Sequence, residues 1–320
     1  MKKIWAILCL GLTLALPVTG SHAAFPERPV TIVVPFGPGA SVDILGRAIA
    51  KELSERFKQP VVIENRAGAG GNVGTASVAR ANADGYTLLL ASNGPLAANV
   101  SLYSNLPFDP LKDFTPVMLV GELPMVLIAN KSAPVSNVTE LVELARREPG
   151  KLNFGASNTT ARVWVELLKD MGKVQVETVL YKNVGTMLTD LIGGQISYAF
   201  ENVGPSLPHV QSGEIKALAV TSAERAAFAP DIPTLAESGF REHELTVWFA
   251  VLAPKGTPDD VVRRLNEALN DVLNTDTVRD AARQTSLRIA GGTSAELAAY
   301  HAGEVEKWRQ FVQMAGIKID

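Results

Sequence analysis

The 320-residue sequence is 47% hydrophobic and 20% charged, with a formal net charge of −3. A mildly acidic chain has no global basic field, which argues against nucleic acid and anionic membrane as partners and leaves any anion site to local geometry. A single cysteine, Cys9, excludes an intrachain disulfide framework.

Lys2 and Lys3 precede a short apolar run, Ile4 to Leu16. Pro17 and Gly20 break that run, and Ser21-His22-Ala23 fits a small-x-small cleavage site. Residues 1–23 read as a secretory signal peptide cleaved after Ala23. A membrane anchor needs roughly 20 apolar residues, and this run is too short. No lipobox precedes Cys9, so it reads as signal sequence. Removing the signal takes the net charge from −3 to −5, because only Lys2 and Lys3 are charged within it. No later stretch is long and apolar enough to span a bilayer. The remaining chain exceeds one usual core, so two domains are expected.

Strand and helix patterns then alternate. Val30, Ile32, Val33 and Val34 read as a buried strand. Pro35, Gly37, Pro38 and Gly39 break it, Ser41 reads as an N-cap, and Val42, Leu45, Ile49 and Leu53 recur at helical spacing. Such a turn aims backbone N–H groups and the positive end of a helix dipole at one point, a geometry that holds an anion. The alternative is a plain loop. "PVVIEN" is a second strand, "GAGGNVGTASVARA" a turn and helix, and "GYTLLLAS" a third strand. This is a β-α-β-α-β half, the pattern of a parallel sheet. "LPFDPLKDFTPV" reads as a proline-rich connection, and "PMVLIANK" as a strand. A second cycle follows: helix "TELVELARREPG", strand "KLNFGAS", helix "NTTARVWVELLKDMG", strand "VETVLYKN", helix "TMLTDLIGGQ", then strands "ISYAFEN" and "KALAVTS". "LTVWFAVLAP" is a long strand. The end is helical, with Thr257-Pro258-Asp259-Asp260 and Thr293-Ser294-Ala295-Glu296 as capping signals. Polar turns end the strands of both halves, where ligands of open α/β sheets bind.

The ordered segments "VPFGPGASVDILGRAIAKEL", "PVVIENRAGAGGNVG", "ADGYTLLLAS", "LPFDPLKDFTPV", "PGKLNFGAS", "LTDLIGGQISYAFEN", "LPHVQSGEIKALAVTSAER", "IPTLAESGF" and "WFAVLAPKGTP" resemble the extracytoplasmic solute receptors of tripartite tricarboxylate transporters, the Bug family. The resemblance spans essentially the whole chain after the signal. It implies an α/β type II periplasmic binding protein with two Rossmann-like lobes, residues 24–126 plus 251–320 and residues 127–250. Two crossover strands, near Pro124–Lys131 and Leu245–Pro254, would join them and act as a hinge. It further implies a monomer in the periplasm that clasps a small carboxylate between its lobes and delivers it to membrane permease subunits, without a cofactor or metal.

By that resemblance the "PFGPGAS" turn is one wall of the site. The candidate ligand-binding residues of the first lobe are Phe36, Gly39, Ala40, Ser41, Asp43, Ser92 and Asn93. Asp43 has a simpler role open to it, stabilising the helix start. The family usually has Gly where Ala40 stands, and Ala tolerates positive φ poorly. In the second lobe the candidates are Ser157, Asn158, Thr159 and Thr160, more polar residues than one cap requires. Arg162 works against the dipole of its helix, so a dianionic ligand is one way to compensate it and plain solvation another. Tyr181, Lys182, Glu201, Asn202 and Trp248 end or interrupt strands that should face the cleft. Family members more often carry Asp where Glu201 stands. Glu201 has a structural alternative as partner of Lys182, and Trp248 as hinge packing.

The glycines of "GAGGNVG" fail the G-x-G-x-x-G spacing at Val73, so the loop reads as a helix start bordering the cleft. G-x-S-x-G, G-x-x-x-x-G-K-[ST] and H-E-x-x-H are absent from the sequence, and His209, His243 and His301 lack ligand spacing. The expected function is therefore non-enzymatic reception of a carboxylate for transport. A periplasmic sensor subunit feeding a signalling system uses the same fold and stays open. A secreted hydrolase is the remote alternative, without a nucleophile–base pair to support it.

Overall fold

The computed structural model describes residues 25–226, 229–240 and 245–316. The signal-peptide reading, Cys9 and His243 lie outside them. The first half begins with β1 (Val30–Val34), α1 (Ser41–Phe57), β2 (Val61–Asn65), α2 (Asn72–Ala79) and β3 (Thr87–Ser92). β1 pairs in parallel with both β2 and β3. Val30, Ile32, Val33 and Val34 are all buried, as a central strand covered on both faces requires. Val42, Leu45, Ile49 and Leu53 of α1 bury against them. A short π-helical turn, Gly94–Ala98, runs into α3 (Asn99–Leu102), and β4 (Phe114–Leu123) follows.

Pro124 takes the chain into a second sheet. It contains β5 (Met125–Asn130), α4 (Val138–Arg147), β6 (Asn153–Ala156), α5 (Thr159–Gly172), β7 (Glu177–Leu180), α6 (Val184–Ile192), β8 (Tyr198–Asn202), α7 (Val203–Gln211) and β9 (Ile215–Val220). The chain then returns to the first sheet with β10 (Val247–Pro254), α8 (Asp259–Val272), α9 (Asp276–Thr285), β11 (Arg288–Ile289) and α10 (Ser294–Ala315). The strand orders are β11-β4-β10-β3-β1-β2 and β7-β6-β8-β5-β9. β10 runs antiparallel between β3 and β4, and β5 antiparallel between β8 and β9. The sequence-based lobe limits, 126/127 and 250/251, fall inside β5 and β10.

Successive side chains of a strand face opposite sides. Leu127 and Ala129 of β5 accordingly join the core under α4 and α5, while Val126 and Ile128 join a smaller one with Met187 and Leu191 of α6 and Val203 of α7. The two chain crossings are stapled by one hydroxyl. Thr221 Oγ1 accepts from the Met125 N–H at 3.0 Å and donates to the Leu245 carbonyl at 3.2 Å. A second contact ties the sheets at Gly204 in the first turn of α7. A Cβ there would lie 2.7 Å from Thr285 Cα at the end of α9, so the helices approach more closely than any side chain allows.

Several elements differ from the sequence reading. "FTPV" opens the ten-residue β4 and is not the end of a connection. α7 was hidden by Pro205 and Pro208; the first sits in the opening turn, where Pro is tolerated, and the second lies inside the helix. Thr257 does not cap α8: Pro258 holds that position, and the Thr257 hydroxyl donates to the Pro254 carbonyl at 2.8 Å. Thr293 and Glu296 do form the capping box of α10. Ser41 is the first residue of α1, not its cap. Ala40 is the cap, and Gly39 takes the positive φ of +83° that Ala40, at −65°, avoids.

Candidate functional site

A cleft of about 690 Å³, mouth included, opens between the two sheets. Its walls are strand-to-helix turns from both halves: Phe36, Gly37, Pro38, Ala40, Ser41 and Val42 before and into α1; Ser92 and Gly94 after β3; Ser157, Asn158, Thr159 and Thr160 into α5; Lys182, Asn183 and Val184 into α6; Glu201, Asn202 and Pro205 into α7. Val247 and Phe249 of β10 form the apolar floor.

Each helix start contributes N–H groups that have no partner within the helix. At α1 the cap is Ala40, which has no side chain to cover them. The Ser41 hydroxyl is buried and has no hydrogen-bond partner in the protein, and the same holds for Asn202 Oδ1. The helix dipoles add positive potential at this place. Lys182, exposed at the edge, and Glu201 are the only titratable residues among the described ones that line the cleft.

The second half organises its own wall. Asn158 caps α5, its side chain accepting from the Ala161 N–H at 2.9 Å. Thr159 Oγ1 donates to Asn99 Oδ1 at 3.1 Å, and Thr160 Oγ1 accepts from Asn93 Nδ2 at 3.1 Å. Both bonds reach residues of the first half, so the α5 start is anchored across the cleft. Beneath it, Trp164 stacks on Phe200 with ring centroids 5.7 Å apart and donates to the Leu245 carbonyl at 3.3 Å.

Glu201 is 2% exposed. One carboxylate oxygen accepts from the Ser157 hydroxyl and the other from the Asn202 N–H at 2.8 Å. Burial raises the carboxyl and these two bonds lower it; burial dominates, pushing it up to about 7. Among the described residues no ion pair joins it to Lys182, so that structural alternative is not realised.

The structure thus brings Phe36, Ala40, Ser41, Ser92, Ser157, Asn158, Thr159, Thr160, Lys182, Glu201 and Asn202 together around one cleft. It sends other candidates elsewhere. Asp43 turns back on its own loop, accepting from the Gly39 N–H at 2.9 Å, from Arg47 Nε at 3.1 Å and from Asn65 Nδ2 at 2.9 Å. Burial raises its carboxyl, but these bonds together outweigh burial and hold it below the ordinary carboxylate value. Gly39 therefore shapes the turn and does not line the cleft. Asn93 is fully buried behind the wall, holding Thr160. Trp248 is also fully buried, and its Nε1 donates to Glu304 Oε2 at 2.8 Å; it is packing, not a ligand platform.

Arg162 and Tyr181 line an adjoining groove, which shares Phe36, Gly37, Ser157, Asn158, Thr159 and Lys182 with the cleft and is bordered by Gly68, Gly70 and Gly71. The Tyr181 hydroxyl donates to Asp190 Oδ2 at 2.8 Å; burial and then Asp190 push it up to about 12. Sequence reasoning had Gly37 and Pro38 only as part of the "PFGPGAS" wall and missed Val42, Gly94, Asn183, Val184, Pro205, Val247 and Phe249. Asn183 did carry a signal, an Asn before an apolar helical pattern, and it caps α6 by accepting from the Thr186 N–H at 2.9 Å.

Comparison with known proteins agrees with this fold. Residues 45–317 match the model of the tripartite tricarboxylate transporter family receptor. The chain is 36% identical to Protein BugT of Bordetella pertussis over 325 residues, covering all of this chain and 99% of that one. Among solved structures, R. palustris Rpa4515 with adipate superposes with a TM-score of 0.88 at 37% identity, covering 92% of this chain and 99% of that one. MatC from Rhodopseudomonas palustris with bound malate gives 0.85 at 32%, covering 90% and 100%. The fold is that of periplasmic solute-binding proteins, and the chain belongs to the tripartite tricarboxylate transporter family of receptors.

Proposed function

We propose that the protein is a periplasmic receptor, exported through a cleaved signal peptide, that captures a small carboxylate between its lobes and delivers it to membrane permease subunits of a tripartite tricarboxylate-type transporter. It carries out no chemistry on its ligand. One observation carries this reading: the uncovered start of α1, where a cap without a capping side chain stands beside the buried, unpartnered Ser41 hydroxyl and both face the cleft. Backbone N–H groups at a helix start are donors for an anion, and burying them unpaired is costly. The relatives whose structures are described with adipate and with bound malate support a carboxylate as that anion.

The adjoining groove gives the ligand a second end. The α1 start and the Ser157–Thr160 turn take one carboxylate with neutral donors, and Arg162, on the groove wall, recognises a second one on a longer ligand. A thermal-shift screen of mono-, di- and tricarboxylates on the mature protein tests the receptor reading. A ligand at 100 times its dissociation constant adds about 2.7 kcal/mol of stability. The expected outcome is a raised melting temperature with at least one carboxylate and none with neutral sugars. A response to sugars alone overturns the assignment.

A further inference from the structure

An acid inside a site built for acids needs an explanation. Glu201 lines the cleft with 2% of its surface exposed, and both its oxygens already accept hydrogen bonds from the protein. Among the described residues it forms no ion pair with a cation. The elements packed around it present neutral groups: Val126 of β5 lies opposite it in the sheet, Ala156 of β6 precedes Ser157, α5 offers Asn158 to Thr160, and α7 offers Val203 and Pro205. The charged and titratable groups of the neighbourhood are Lys182 on the cleft edge, Arg162 and Tyr181 on the groove, Asp190 bonded to Tyr181, and Asp43, which is held by Arg47 and Asn65 away from the cleft.

We propose that Glu201 is a specificity-determining residue that takes up one proton when an anionic ligand seats, so that the receptor captures a carboxylate together with a proton. This rests on the receptor reading above. The step is a simple transfer: a proton from solvent adds to Glu201 Oε2, the oxygen that now accepts from Ser157. A hydroxyl is both donor and acceptor and can rotate. With Oε2 protonated, its O–H donates to Ser157 Oγ, and the Ser157 O–H turns into the cleft to donate to the ligand. One charge is removed from beside the anion, and one donor is gained where an acceptor-bound hydroxyl stood. A ligand that places an ammonium group at Glu201 does the opposite: it keeps the carboxylate charged and releases a proton. The residue therefore separates two ligand classes by the sign of the linked proton.

The free carboxyl, pushed up to about 7 by burial, is poised for either direction near neutrality. An anion raises it further, so anion affinity is highest at low pH and falls as pH rises above about 7, by up to tenfold per pH unit while the bound form keeps its proton.

The test is calorimetry on the mature wild-type protein at pH 8, with the carboxylate that gives the largest shift in the thermal screen. Titrations run in buffers of differing ionisation enthalpy, and the dependence of the observed heat on buffer gives the proton count. Close to one proton taken up is expected at pH 8, falling toward zero at pH 6, where Glu201 is already protonated. In Glu201→Gln the uptake and its pH dependence disappear. A carboxylate that binds at pH 8 without proton uptake, or uptake that persists in Glu201→Gln, overturns the inference and leaves the receptor reading standing. A protein stabilised by no carboxylate overturns both.

Discussion

The two walls of the cleft are made of the same kind of part, a strand that turns into a helix, yet they are finished differently. The α1 wall is left incomplete: Ala40 caps nothing and the Ser41 hydroxyl has no partner. The α5 wall is complete: Asn158 caps it, Thr159 and Thr160 are bonded across to Asn99 and Asn93, and Trp164 braces it from below. Unpaired buried donors lower the stability of a free protein and become useful only when a ligand supplies acceptors. Paired ones stabilise regardless. The first wall thus leaves polar groups open in the free protein, while the second spends most of its side chains on tying the two halves together.

Three experiments bear on that contrast. The largest effect is expected from Trp164→Ala, which removes a fully buried indole stacked on Phe200. Large-to-small changes of this kind cost about 3–5 kcal/mol. Denaturant unfolding of the ligand-free protein should show that loss in full. A loss that appears only with ligand present would mean that the second wall, too, is organised by binding.

Arg162→Ala comes next. A charge-assisted hydrogen bond contributes roughly 1.5–3 kcal/mol, about ten- to a hundredfold in affinity. Calorimetry should show that factor for a dicarboxylate and almost no change for the matching monocarboxylate. Equal losses on both ligands would assign Arg162 a general role in the wall in place of recognition at the groove.

Ala40→Asp has the smallest effect on stability and the most telling pattern. A capping carboxylate over the open α1 start should raise the stability of the free protein by about 1 kcal/mol. It should also weaken carboxylate binding, because it occupies the donors and brings a like charge. Melting temperatures with and without ligand read both effects. If stability rises and binding is unchanged, the α1 start is not where the ligand sits.

How far the sequence disclosed this depends on which force acts. The first wall was readable because three local signals coincide there: the β-branched run, the "PFGPGAS" break and the helical spacing from Val42 to Leu53. Backbone geometry alone makes that site, and local residues determine it. Trp248 was not readable. Every residue of β10 is buried, so alternation of polar and apolar residues, which assigns strand faces elsewhere, is missing, and only tertiary packing turns Trp248 toward Glu304 while Val247 and Phe249 face the cleft. For Asp43 the alternative left open by the sequence, a role at the helix start, is the one realised. It lies in the right turn, but Arg47 one helical turn later and Asn65 on the next strand compete for its carboxylate and win. The prolines of α7 hid a helix whose start supplies Asn202 and Pro205, since intrinsic propensity there is overridden by packing against the second sheet.

Gly204 acts as a gauge block. Where α7 and α9 touch, the spacing between the two halves is set by a residue of zero side-chain thickness, with Thr285 Cα 2.7 Å from where a methyl would begin. The turn that makes this contact also carries Asn202 and Pro205 to the cleft. Any thicker residue at 204 would push the halves apart at that point, and the width of the cleft would change with it. The bore of the cleft is thus machined at a position outside its own lining.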